Sequence, residues 1–366
     1  MASNRSFCDV AGDLAFSHGY KLVLVAKIVI CLLGILIFGT FMIFKPNRLW
    51  HHAHASLLAK YHLASAFILN LGSLGIFVFN LARLSISSSD PCSYLLSSKL
   101  QFWLSFLLLF LFFLETISIL LVSIERTIST ARIASYENFE SRRSVIFIIL
   151  FLSTLLFFAL LITILLTPEL AVHTGIVIVA SSKSFYVRKF AYVLFAIIVV
   201  LGIVTVILAQ ITYLLNVKYR RFYRAGKSRD AEQTNRLSAV FQIEENLSMM
   251  RVLLPVSYIH LFIVSFSVAG LLIYDMLGHN AADFVFDTTV KEALLISPLY
   301  SIALPAVLFW HYPNVFWKAA MILSRQNFAK EGRQPGVRVV PVALQRDVHF
   351  AGLQNAFDGP IPKRTR

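Results

Sequence analysis

The sequence predicts an all-α membrane protein, a seven-transmembrane helix bundle with its N-terminus outside and its C-terminus cytoplasmic. Three observations carry that expectation: apolar runs of membrane-spanning length, a scarcity of charge, and a lopsided distribution of Lys and Arg. Of 366 residues, 58% are hydrophobic and 14% charged, against roughly a quarter charged in soluble proteins. A soluble helical protein keeps its apolar runs to about 10–14 residues, and the runs here are longer.

Hydropathy places the spans at 22–44, 57–82, 100–124, 145–166, 190–215, 252–274 and 290–310. At 1.5 Å per residue the first reaches about 34 Å, enough to cross a hydrocarbon core of about 30 Å. No cleavable signal peptide precedes it, so the first span itself directs insertion. The second is the least regular, because His62, Asn70, Ser73 and Asn80 interrupt its apolar pattern.

Lys and Arg set the orientation, since they accumulate in cytoplasmic connections. The stretches 45–60, 125–143, 216–251 and 311–366 carry 24 basic residues, whereas 1–21, 83–99, 167–189 and 275–291 carry 8. The N-terminal stretch 1–21 is therefore expected to be extracellular. The net charge of +14 follows this topology and does not form a nucleic-acid-binding face. Asn4-Arg5-Ser6 is an N-glycosylation acceptor on the outer side.

After the last span, residues 314–325 place Val315, Phe316, Ala319, Ala320 and Leu323 on one helical face, a pattern suited to a short interfacial helix. From 326 to 366 the tail is rich in Gly, Pro and basic residues and reads as disordered. Three cysteines without CxxC or Cys/His spacing point to no metal, and no cofactor is expected. Neither an HExxH nor a GxSxG run is present, so the chain does not read as an enzyme.

The densest chemistry lies at the cytoplasmic end of the third span, in Ser123-Ile124-Glu125-Arg126-Thr127-Ile128-Ser129-Thr130. A half-buried charge is tolerated there when it is paired. Two readings stand: a latch that holds Arg126 at rest and frees it towards a partner, or an ordinary ion pair marking a helix end. Glu125-Arg126 with Thr130 and Tyr136-Glu137 resembles the third-helix exit of nematode serpentine chemoreceptors of the Sra superfamily, closest to classes ab and epsilon. Leu237-Ser238, Gln242-Ile243 and Asn246 before the sixth span, and Asp90-Pro91-Cys92 before the third, are similar to runs of the same group. The likeness extends over roughly 22–325, and Ser129 departs from the Ala usual at that place.

The resemblance implies a G-protein-coupled chemosensory receptor of the plasma membrane, in sensory neuron cilia. It binds a small molecule in the outer half of the bundle and acts on a cytoplasmic heterotrimeric G protein. By that analogy Arg126 faces the Gα subunit, Glu125 is its resting partner, and Thr130 and Tyr136 belong to the same switch. Many seven-helix receptors join a cysteine like Cys92 to the second outer loop, but 167–189 contains none. Cys8 is the other outer cysteine, so a Cys8–Cys92 disulfide is expected.

Glu115 lies mid-span, where an acidic residue costs about 2.5–3.5 kcal/mol on insertion scales and therefore faces the bundle interior. Eleven residues separate it from Arg126, three turns plus about 20°, so the two share one face. Asn70, Asn80 or Tyr258 are candidate hydrogen-bond partners for it. Glu115 is either a ligand, ion or protonation site, or a neutral structural group bonded across helices. Lys27, just below the outer surface, either binds an acidic ligand or snorkels to the headgroups. His51, His52, His54 and His62 invite a metal reading, but no carboxylate lies among them and a solvated loop suits them better. Pro255, Pro298 and Pro305 are expected to bend the last two spans.

The alternatives to a receptor are a seven-span ligand-gated channel or a transporter. Insect odorant-receptor channels, which the first would resemble, place the N-terminus inside. Epitope tags test the orientation: an N-terminal tag is expected to stain on intact cells, and a C-terminal tag only after permeabilisation. The reverse pattern would exchange the two faces and remove Arg126 from contact with any cytoplasmic partner.

Overall fold

Hydrocarbon offers no water to bond a peptide group, so each long run of Leu, Ile, Val and Phe closes its backbone hydrogen bonds within itself as a helix. The computed structural model describes residues 7–44, 53–86, 90–96, 98–133, 185–224, 233–277 and 284–312. All belong to one unit spanning residues 1–319; a second unit, 320–366, lies outside the described residues. The helices are α1 (Phe7–Phe16), α2 (His18–Phe44), α3 (Ala53–Ser85), α4 (Ser98–Ala131), α5 (Phe185–Arg224), α6 (Gln233–Met276), α7 (Phe284–Leu294) and α8 (Tyr300–His311). Short 3₁₀ turns occur at Pro91–Tyr94 and Ser297–Leu299.

Six described stretches are long and apolar enough to cross a membrane: His18–Ile43, Ser56–Ser85, Leu107–Ala131, Val193–Tyr223, Ala239–Met276 and Phe284–His311. They match the first, second, third, fifth, sixth and seventh expected spans. The expected fourth span at 145–166, the interfacial helix at 314–325 and the tail at 326–366 lie outside the described residues.

The neighbours α2–α3, α3–α4, α4–α5, α5–α6, α6–α8 and α8–α2 close a ring, and α4 also meets α6. Val193, Ile197, Val200, Val204, Ile207 and Ile211 recur every three or four residues along α5 and stay exposed, the face suited to lipid. On α3 the polar residues that break the apolar pattern, His62, Asn70, Ser73 and Asn80, are all buried. Their spacing puts them on one stripe, so what weakens the hydropathy of this span is its inward face.

Two of the stretches outside the expected spans contain helix. The N-terminal stretch contains a helix, α1, whose Ala11, Leu14 and Ala15 pack with Tyr20, Leu24 and Tyr94. Ser17 ends α1 and its Oγ accepts the Tyr20 N–H at 3.2 Å, capping the start of α2. The stretch 216–251 is mostly helix, because α5 runs on to Arg224 and α6 begins at Gln233. At 1.5 Å per residue the 44 residues of α6 reach about 66 Å, twice the hydrocarbon thickness. Arg220 and Glu244 pair at 2.6 Å and tie the two extensions together.

The seventh span is broken. Ser297 precedes Pro298, whose ring disfavours helical geometry in the residue before it, so α7 ends and α8 restarts beyond the 3₁₀ turn. The Ile296 N–H at this break is shared between the Leu294 carbonyl at 3.0 Å and Ser267 Oγ on α6 at 3.3 Å.

Glycine decides one contact. A Cβ on Gly34 would lie 2.2 Å from Ser301 Oγ and 2.8 Å from its Cβ, so α2 and α8 approach this closely only because residue 34 has no side chain. Gly34→Ala is expected to cost about 1–3 kcal/mol through overpacking, read as a lower melting midpoint of detergent-solubilised protein. An unchanged midpoint would mean that the two helices stand farther apart.

Candidate functional site

The motif at the end of α4 builds a closed polar knot. Arg126 is fully buried. Its Nε and Nη2 donate to the two carboxylate oxygens of Glu125, each at 2.5 Å, and its Nη1 donates to Asn246 Oδ1 on α6 at 2.8 Å. Ser129 Oγ donates to the same Asn246 oxygen at 3.2 Å. Thr130 gives its hydroxyl hydrogen to the Arg126 carbonyl at 2.8 Å and accepts from Asn216 Nδ2 on α5 at 2.7 Å and from Asn246 Nδ2 at 3.3 Å. Thr127 and Thr212 pair at 2.8 Å. The knot therefore fastens α4 to both α5 and α6.

Local sequence produces this arrangement. Ala239, Ile243, Asn246, Leu247 and Met250 fall every three or four residues and are all buried. Along with Gln242 they form the inner stripe of α6. On α4, Glu115, Ser118, Val122, Arg126 and Ser129 form the matching stripe, which Ile133 continues in the turn beyond it. Residues adjacent in a helix point about 100° apart, so the Glu125–Arg126 pair forms only because both long side chains fold across the same face.

At mid-depth a second polar chain crosses the bundle. His62 Nδ1 lies 2.8 Å from Ser118 Oγ and its Nε2 lies 3.0 Å from the Tyr300 hydroxyl. Ser118 donates to the Glu115 carbonyl oxygen at 2.6 Å. Thr116 Oγ1 lies 3.5 Å from His260 Nε2 on α6. Towards the end where α1 packs, the side chain of Lys27 pairs with Glu292 of α7 and its Nζ sits 5.0 Å from the centroid of Phe77. Lys291 bridges Asp275 at 2.9 Å and Asp287 at 3.2 Å.

At that same end Asp90, Pro91 and Cys92 act as a unit. Asp90 Oδ1 accepts the Cys92 N–H at 2.9 Å and so caps the 3₁₀ turn that Pro91 begins. The turn holds Cys92 against Cys8 of α1 at disulfide distance, with Cα atoms 4.5 Å apart and 84 residues between them in sequence. Arg83 Nη1 donates to the Tyr94 carbonyl at 2.8 Å and fixes the same turn from α3.

A comparison with protein-family models matched residues 5–325 to the serpentine type 7TM GPCR receptor class ab chemoreceptors. A comparison with curated protein sequences gave no match. The matched span covers most of the chain and both ends of the polar architecture just described. The chain belongs to the class ab serpentine chemoreceptor family. It is a multi-pass membrane protein with a chemosensory receptor role, and its family is one of receptors, not of enzymes.

Within this class ab receptor several expected roles move. Asn70, Asn80 and Tyr258 were the candidate partners of Glu115, and the structure gives each another one. Asn70 Nδ2 donates to the Cys31 carbonyl at 3.0 Å, Asn80 Oδ1 accepts from Arg83 at 3.4 Å, and the half-exposed Tyr258 donates its hydroxyl hydrogen to Gln210 Oε1 on α5 at 3.4 Å. Lys27 is buried in an ion pair and not snorkelled, because Glu292 lies on the neighbouring helix. His62 is buried and bonded to α4 and α8, not solvated, because α3 already begins at Ala53 and carries it inside the bundle. The side chains of His51, His52 and His54 lie outside the described residues, as do Asn4 and Tyr136.

Sequence reasoning missed Glu292, His260, Asn216 and Tyr300. His260 carried the same signal as Glu115, an ionisable residue inside an apolar span. Glu292 stands at a span edge, where hydropathy windows blur a single charge. The buried Lys27–Glu292 pair gives a test. Glu292→Gln is expected to cost about 3–5 kcal/mol because it strands a buried ammonium, whereas Lys27→Met with Glu292→Leu restores most of that stability. A melting midpoint unaffected by the single change would place the pair in water.

Proposed function

We propose that this class ab chemoreceptor binds a small molecule within the helix bundle and passes the signal to a heterotrimeric G protein at its cytoplasmic face. The expected setting is the plasma membrane of sensory cilia. The observation that carries this reading is the state of Arg126. A guanidinium at the end of a spanning helix is withheld from solvent, with Glu125 and Asn246 taking its hydrogens. An ordinary helix-end ion pair would stay in water.

The family match supports the partner class, since G-protein-coupled receptors respond to ligands by coupling to G proteins. The mechanism follows from what holds the lock. Asn246 and Asn216 belong to the long α6 and α5, whereas Glu125 moves with Arg126. Displacement of α6 from α4 removes the 2.8 Å bond from Asn246, while Glu125 travels with Arg126. The end of α4 then presents a cation for which a Gα carboxylate or backbone carbonyl can compete. A ligand drives this only if it binds the displaced arrangement more tightly.

Two substitutions separate lock from contact. Arg126→Ala is expected to reduce agonist-stimulated nucleotide exchange on Gα at equal surface expression. Asn246→Leu removes a charge-assisted bond of about 1.5–3 kcal/mol and is expected to raise ligand-free exchange about tenfold or more. Unchanged exchange in both would take the knot out of the signalling mechanism.

A further inference from the structure

Glu115 is 1% exposed at the middle of α4, and among the described residues neither carboxyl oxygen has a hydrogen-bond partner. Its neighbours show why. Counting hydrogens fixes their directions. Ser118 spends its hydrogen on the Glu115 carbonyl at 2.6 Å, so the Ser118 oxygen accepts from His62 Nδ1–H at 2.8 Å. His62 Nε2 is then an acceptor and takes the hydrogen of Tyr300 at 3.0 Å. Thr116 spends its hydrogen on the Phe112 carbonyl at 3.0 Å and faces His260 Nε2 at 3.5 Å. The hydroxyl hydrogens of Ser118, Thr116 and Tyr300, and the His62 ring as well, are committed elsewhere.

Among the described residues the buried Lys and Arg side chains, Lys27 and Arg126, are also committed. Lys27 pairs with Glu292, and Arg126, three turns along α4, is held by Glu125 and Asn246. A buried carboxylate left without donors is costly, and native proteins bury few polar groups this way without a reason. Phe112 precedes Glu115 by about one turn of α4 and His260 Nε2 approaches the adjacent Thr116 at 3.5 Å, so aromatic rings supply the rest of a recognition site. Phe112 and His260 lie 5.9 Å apart, and His260 and Tyr300 5.1 Å apart, between centroids. Tyr300 is linked to the Glu115 backbone through His62 and Ser118. Aromatic faces beside a lone carboxylate suit an organic cation, which needs a counter-charge and a polarisable wall more than it needs hydrogen-bond acceptors.

We propose that Glu115 anchors a small organic cation, a protonated or quaternary amine, at mid-depth between α3, α4, α6 and α8, with Phe112, His260 and Tyr300 as its aromatic wall. This deepens the receptor reading and rests on it only for signalling. A bound amine bridges α4 to the His260 face of α6, the helix that also carries Asn246.

The test uses purified full-length receptor at neutral pH with n-butylamine, triethylamine and tetramethylammonium, and with n-butanol and butyramide as uncharged partners of similar size. Amines are expected to raise the melting midpoint with concentration, and the uncharged compounds are not. Glu115→Gln keeps the side-chain shape and is expected to raise the amine-free midpoint while weakening apparent amine affinity roughly 30-fold or more. Glu115→Asp is expected to retain amine stabilisation. No amine shift in the wild type, an equal shift in Glu115→Gln, or equal shifts from the uncharged compounds would each overturn the proposal. A midpoint that responds at Glu115 to pH alone, with no amine effect, would make the proton its only cation and overturn it too. Amine-dependent stabilisation without amine-dependent Gα exchange would leave the site standing and sink the coupling.

Discussion

Everything polar in this bundle is governed by one constraint: inside hydrocarbon no water is available to repair a missing hydrogen bond. A soluble protein sends His, Glu, Lys and Asn to its surface, whereas here those residues go to the axis and the apolar ones go to the rim. The exposed stripe of Val and Ile on α5 and the buried His62, Asn70, Ser73 and Asn80 on α3 are two sides of that inversion. Once the polar groups are inside they must satisfy one another. Hydroxyls do so partly on carbonyls of their own helix, as Thr116, Ser118 and Thr130 show, and the larger polar groups reach across to other helices.

Those long-range contacts fall in three tiers. Near the disulfide, α1 and the 3₁₀ turn after Asp90 are clamped by Cys8–Cys92 and Arg83, and Lys27 reaches across to Glu292. At mid-depth the order Tyr300, His62, Ser118 and the Glu115 carbonyl strings α8, α3 and α4 together. At the far end Arg126, Asn246, Thr130 and Asn216 knot α4 to α6 and α5. The first tier is built from a covalent link and ion pairs. The last consists of hydrogen bonds that a helix displacement can exchange for others, which is where a two-state element belongs.

Much of this was legible in the sequence, and what was not has a common cause. The expected pairing of Cys8 with Cys92 leaned on the likeness to seven-helix receptors, whereas the positions of six spans and an inward face shared by Glu115 and Arg126 follow from periodicity and charge placement, which are local properties. The partners of the inward groups do not. Nothing in the surroundings of Lys27 names Glu292, 265 residues away, and nothing near Asn70 says that it will choose the Cys31 carbonyl. Helix lengths were underestimated for a related reason. Hydropathy stops where the membrane stops, but the backbone of α6 stays helical back to Gln233 because Ala239, Ile243 and Leu247 pack against α5 and Ile133. The break at Pro298 was visible as a proline, yet whether it bends a helix or ends it depends on whether neighbours can take the Ile296 N–H, which the Leu294 carbonyl and Ser267 share.

The α4–α6 seam is where the tiers meet. Polar contacts cross it at two depths: the long 3.5 Å approach of Thr116 to His260, and the cluster on Asn246, where Arg126 bonds at 2.8 Å, Ser129 at 3.2 Å and Thr130 at 3.3 Å. His260 and Asn246 are fourteen residues apart, about 21 Å along one helix, and both face inward. A rigid helix cannot shift its middle without shifting its end, so a group that occupies the weak upper contact acts on the strong lower one through backbone alone. Pro255 lies between them and removes one backbone hydrogen bond from that lever. The lever is therefore stiff but hinged: the upper segment can tilt by a small angle, and the length of α6 beyond the hinge turns that angle into displacement at Asn246.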